Sequence, residues 1–324
     1  MTVATDTTLI WRAATTTEMY NWIKKISDAL TAVGCALTSD TGQINLSGTT
    51  VAIPTSADET FRQAGYQIRK LERSGYPTLF IRIDYGVRRY TPFSSAANNV
   101  IPAMRITVGT ETNGAGVLGG VHTTNGKSFS EWGFYYPSEL PPAGVRPLFF
   151  SSDGQNYLTM VIDPALAGGS AAYRNNSGVP LVFALERSVT PETGAYDADG
   201  YVIVSPLASP PSGEPWATYT VANIPGAAVY AGGAATSVPA QNTGLFTSSF
   251  SAGSTNLFPV TVCLPKPKGP MVSVLYYYKA DIADGYTLST TMYGATRTFI
   301  AAGSLQAPSA LVTASSVAAA LRYD

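Results

Sequence analysis

Few side chains in this sequence are suited to chemistry, and their types restrict the choices. His122 is the only histidine in 324 residues, so any Ser-His-Asp triad would have to be built on it. It follows Gly119-Gly120, and no Gly-x-Ser-x-Gly elbow is present to offer it a nucleophile. An ordinary loop histidine is the better reading. Cys35 and Cys263 lie far apart in apolar surroundings and read as small buried hydrophobes rather than as a bridge or a nucleophile. With one histidine and two distant cysteines, a zinc site of nitrogen and sulfur ligands is not expected. Asp197-Ala198-Asp199-Gly200 begins like a calcium loop but lacks the third oxygen ligand and the closing glutamate, so it reads as a turn; Asp281 and Asp284 are treated alike. The glycines of residues 109–116 lack the GxGxxG spacing and a following helix, which leaves a turn rather than a phosphate cradle. No cofactor is expected. Two carboxylates held a few ångströms apart would suffice for glycan cleavage, a pairing that a β-rich sequence does not reveal.

Tyrosine is the remaining candidate, with 19 copies. Tyr135-Tyr136 and the run Tyr276-Tyr277-Tyr278 include four rings, Tyr135, Tyr136, Tyr276 and Tyr278, that are candidate contacts for a sugar or a protein partner. Their amphipathic rings suit both, and alternate positions on a strand share a face. Core packing is the competing account for each.

The elements that would position these residues are mostly strands. One helix stands out over residues 15–34: Met19, Tyr20, Trp22, Ile23, Ile26, Leu30 and Val33 recur at three- and four-residue steps, Thr15 and Glu18 form a capping box, and Gly34 supplies the stop. Ile44, Leu46, Val51 and Ile53 suggest strands bracketing a Ser47-Gly48 turn. Residues 66–71 and 78–85 alternate around Ser74-Gly75 as a hairpin, with Leu79, Ile81, Ile83 and Tyr85 on one face and Arg82 and Asp84 on the other. A second hairpin turns at Asp153-Gly154. Strands are expected again at 181–186, 201–204, 218–221, 260–263 and 271–278; the tail at 310–323 is Ala-rich enough for a helix, but Val317, Ala319, Leu321 and Tyr323 alternate, which favours a closing strand. The Ala-, Gly-, Ser- and Asn-rich stretch from Pro164 places a boundary there. The expected organisation is mainly β, with two β-sandwich-like units (1–163, carrying the amphipathic helix, and 164–324).

Composition fits that reading. Charged residues are 13% of the chain, against about 25% in ordinary globular domains, while 30 glycines and 22 prolines supply turns. A net charge of −1 without a basic patch argues against direct nucleic-acid binding. No apolar run reaches membrane-spanning length, and the opening residues lack a secretion-signal pattern, so no membrane insertion is expected. Residues 164–178 and 224–258 contain one charge between them, Arg174, which suits burial against neighbouring subunits in a homo-oligomer.

Three stretches carry a family likeness: Gly65-Tyr66-Gln67-Ile68, then Phe80-Ile81-Arg82-Ile83-Asp84-Tyr85-Gly86, then Arg105-Ile106-Thr107-Val108-Gly109-Thr110-Glu111-Thr112-Asn113-Gly114-Ala115-Gly116. The pattern resembles one that recurs in structural proteins of tailed bacteriophages, and the ending Leu321-Arg322-Tyr323-Asp324 is similar to theirs. Arg88-Arg89-Tyr90 stand where that pattern has a small turn. The resemblance implies a non-enzymatic virion component of the tail or baseplate, with collar or capsid as other positions. It also implies assembly in the bacterial host cytoplasm among other virion proteins. A receptor-recognition module binding host surface glycan is the alternative, and a glycan-cleaving enzyme with a carboxylate pair the third.

Overall fold

A computed structural model describes residues 2–10, 13–55, 61–89, 100–121, 130–133, 147–162, 181–206, 218–223, 247–250, 253–256, 258–259, 271–278, 285–304 and 317–324. The protein is mainly β, 51% strand, with one N-terminal helix and several antiparallel sheets including a half-barrel. In chain order the elements are β1 (Thr2–Asp6), α1 (Thr16–Ala32), β2 (Ala36–Leu37), β3 (Arg62–Leu71), β4 (Leu79–Arg89), β5 (Val100–Gly109), β6 (Glu111–Thr112), β7 (Leu118–Gly119) and β8 (Ser130–Gly133). They continue with β9 (Leu148–Ser152), β10 (Tyr157–Ile162), β11 (Leu181–Val189), β12 (Tyr196–Pro206), β13 (Thr218–Asn223), β14 (Thr247–Phe250) and β15 (Gly253–Asn256). The last are β16 (Phe258–Pro259), β17 (Val274–Tyr278), β18 (Thr287–Met292), β19 (Ala295–Ser304) and β20 (Val317–Arg322).

Helix α1 forms as the apolar spacing requires. The Thr15 side chain accepts from Glu18 N, the Glu18 carboxylate accepts from the Thr15 and Ala14 amides, and Gly34 follows in a left-handed conformation. Its buried side, Met19, Trp22, Ile23, Ile26 and Leu30, faces a core shared with Ile81, Ile83 and Tyr85 of β4 and with Leu158, Met160 and Ile162 of β10. Trp22 meets Tyr85 edge to face at 5.6 Å.

A central six-stranded sheet runs in the order β1-β9-β10-β11-β12-β13. The expected division at residues 163/164 falls between β10 and β11, hydrogen-bonded neighbours in this sheet, paired from Tyr157↔Glu186 to Ile162↔Leu181. Alternation along these strands serves two cores. Leu158, Met160, Phe183, Leu185, Tyr201 and Ile203 belong to the α1 core. The intervening Val161, Ala184, Val202 and Val204 meet Val274, Ile300, Ala302 and Leu321 of a five-stranded C-terminal sheet ordered β16-β17-β20-β19-β18. Strands β10, β11 and β12 are thus covered on both faces, which is why they carry near-continuous apolar runs.

Residues 44–53 do not form the expected strands. Ile44 donates one backbone bond to Tyr66 and Val51 one to Thr16, so the segment packs as irregular chain over a sheet edge and the helix start. Asp197-Ala198-Asp199-Gly200 is also not a turn; it lies within β12, and the turn sits earlier, at Pro191-Glu192-Thr193. A register shift between Arg187 and Val189 draws the strand past these residues, and the Asp197 carboxylate accepts from the Ser188 hydroxyl. The strand expected at 260–263, the low-charge loop at 164–178 and residues 224–246 of the loop expected at 224–258 lie outside the described residues; the remainder of that loop holds β14, β15 and the start of β16 instead.

Candidate functional site

Of the four candidate tyrosines, Tyr276 and Tyr278 stand at alternate positions of β17, in register with Ala319 and Val317 of β20. Tyr135 and Tyr136 lie outside the described residues, as do His122, Cys263, Asp281 and Asp284. Cys35 is free and buried, and burial pushes its thiol up to about 12. Among the described residues there is no group of three or more His, Cys, Asp or Glu placed to hold a metal, and no helix long and apolar enough to cross a membrane.

Two polar clusters organise the described surface and interior. The first is built from the strand-and-turn residues at β3, β4 and β5. The Arg82 guanidinium lies over the Tyr66 ring at 4.3 Å, donates from Nε and Nη2 to Asp84 Oδ1 at 2.8 and 2.7 Å, and donates to the Gly116 carbonyl. Tyr66 donates to the Thr41 carbonyl at 2.6 Å, and the Thr41 amide donates to the Gly114 carbonyl at 2.9 Å. Asp40 accepts from the Thr112 hydroxyl and the Gly116 amide. The 113–117 turn is held internally as well, with Asn113 Oδ1 accepting from the amides of Ala115 and Val117 at 2.8 and 3.0 Å. Gly116 has φ +92°, and a side chain there would collide with the Tyr66 hydroxyl. Gly86 is pressed against the Arg62 carbonyl and the Phe61 ring. Burial pushes the Asp84 carboxyl above the usual range, against the pull of Arg82 and Arg105. The arrangement is a clasp that fastens a turn onto the outer face of β3–β5.

The second cluster lies between the central and C-terminal sheets. Glu186, on β11, is 0% exposed. Its carboxylate accepts from the Val272 amide at 3.0 Å, the Ser273 amide at 2.9 Å and the Ser273 hydroxyl. Beside it, Arg322 of β20 lies over the Tyr157 ring at 4.6 Å and donates to Asp324 Oδ1 at 2.6 Å. The Thr159 hydroxyl donates to the Arg322 carbonyl at 2.7 Å, and the Ser151 and Tyr157 hydroxyls donate to the Asp324 carbonyl at 3.0 and 3.3 Å. Burial pushes Glu186 up to about 7 despite its three donors and Arg322, and pushes Tyr157 up to about 12. Chemically, this seat can exchange a proton near neutrality.

Two buried cations complete the interior. Arg69 donates to the carbonyls of Cys35 and Ser27, to the hydroxyls of Thr31 and Ser27, and to Gln67 Oε1, all between 2.7 and 3.1 Å. Arg187 donates to the carbonyls of Gln155, Pro77 and Leu71. The sequence reading passed over Arg69, Glu186, Arg187 and Arg322. The available signal was a charge set in an apolar β run, as in Phe183-Ala184-Leu185-Glu186-Arg187, since a charge in a doubly covered strand must carry its own partners.

Compared with family models, curated proteins and solved structures, the chain matches none.

Proposed function

We propose that this chain is a non-enzymatic structural subunit of a bacteriophage particle, placed in the tail or baseplate, where it packs against copies of itself and other virion proteins. The observation that carries the reading is the use made of the phage-like motif. Tyr66, Arg82, Asp84, Gly114 and Gly116 bond or pack within one clasp, so the residues that bear the likeness serve to hold a turn on a sheet. A motif that recurs for this reason marks a shared building unit, as in proteins whose work is mechanical.

Purified particles of the phage encoding the chain test the proposal through quantitative mass spectrometry and immunogold labelling. The expected result is a fixed copy number per particle with label at the tail. Recovery of the protein only in the soluble lysate, with none in particles, would contradict it.

A further inference from the structure

We propose that Glu186 is a proton-operated latch between the central and C-terminal sheets, keeping them docked while its carboxyl is neutral and letting them part more often when it ionises. The geometry places every resolved bond of this carboxylate across one interface. Glu186 belongs to β11, and its three donors, Val272 N, Ser273 N and Ser273 Oγ, belong to the segment leading into β17. The groups facing it come from each surrounding element: Tyr157 in register on β10, Tyr196 on β12, Arg322 on β20 and Tyr293 at the β18–β19 turn. Arg322 is the cation in this set, and its Nε is committed to Asp324.

Among the described residues, the interface has the smaller of the two apolar cores that meet the central sheet. Among the described residues, nine buried apolar residues form its core, against twenty-nine in the core that includes α1. The Glu186 carboxylate is thus a buried charge beside a small described apolar core. The direction follows from linkage. In the docked state the carboxyl titrates at about 7, and in the parted, solvated state near its ordinary 4.5. The docked state binds the extra proton between those values, so docking is tightest below 4.5, weakens as pH rises through 7, and is constant above. Parting would uncover Val161, Ala184, Val202 and Val204, an apolar strip of the central sheet.

Amide hydrogen exchange of the full chain at Val272 and Ser273, corrected for the intrinsic rate, tests the latch. The opening constant is expected to rise on the order of a hundredfold between about pH 4.5 and about pH 8. Glu186→Gln, a neutral isostere, is expected to hold the acid-state protection at every pH. Ser273→Ala, which keeps the carboxylate and removes one donor to it, is expected to keep the pH dependence with its midpoint moved upward, and so serves if the first variant does not fold. The proposal is overturned if the wild-type opening constant does not change with pH, or if either variant gives the opposite response: Glu186→Gln retaining the wild-type slope, or Ser273→Ala losing it.

Discussion

The two layers that cover the central sheet bury charge in opposite ways. On the α1 side, Arg69 is a cation surrounded by carbonyl and hydroxyl oxygens of the helix and its exit, and a guanidinium keeps its charge at any ordinary pH. On the C-terminal side, Glu186 is an anion held by amide and hydroxyl hydrogens, and its charge is lost near neutrality. Each is held by several hydrogen bonds, yet only one responds to a proton. The difference shows that burial alone does not make an interface pH-sensitive; the identity of the buried group does. Two buried charges, one tying β3 to α1 and the other tying β11 to the segment before β17, thereby give one constant contact and one adjustable interface.

The larger layer should break hardest. Trp22→Ala empties a fully buried ring site against Tyr85 and is expected to cost about 3–5 kcal/mol, read by urea unfolding. Because the same core holds Leu158, Met160 and Phe183, the central sheet should lose protection together with the helix in this variant. Removing the cation alone, by Arg69→Met, leaves the Ser27 and Cys35 carbonyls without this donor and is expected to cost about 2–3 kcal/mol. That loss should be the same at about pH 5 and about pH 8, in contrast to anything measured across the Glu186 interface.

The outer clasp provides a smaller test. Gly116→Ala combines a left-handed backbone with a collision against Tyr66 and is expected to cost about 2 kcal/mol, whereas Gly75→Ala, at φ +79° with open space around it, should cost about 1 kcal/mol. Equal losses at both positions, measured by thermal unfolding, would mean that the Tyr66–Arg82 stack yields freely. The exposed Lys24–Asp28 pair on α1 sits at the bottom of the scale, and Lys24→Ala should change stability by less than about 0.5 kcal/mol.

Local elements were legible in the sequence where a period or a cap declared them. The capping box at Thr15 and Glu18, the β3–β4 hairpin with Leu79, Ile81, Ile83 and Tyr85 on the buried side, and the closing strand all follow from spacing. Residues 44–53 misled because apolar alternation there reflects packing onto Tyr66 and the helix start without a neighbouring strand to pair with. Asp197 to Gly200 misled because a bulge carries turn-like residues inside a strand. The polar seats were harder still. Glu186 and Ser273 are joined only by the sheet-on-sheet docking, and no local rule relates residues 87 positions apart.

Thiol labelling can compare the two layers in one experiment. In a Cys263→Ser background, Cys35 reports opening of the α1 layer, and Ala184→Cys places a second reporter under the C-terminal sheet, at a position that is also 0% exposed. With rates normalised to the same thiols in unfolded chain, labelling at position 184 is expected to rise at least about tenfold from about pH 5 to about pH 8, while labelling of Cys35 stays level. Both sites rising together, or neither rising, would contradict the assignment of the proton-sensitive interface to Glu186.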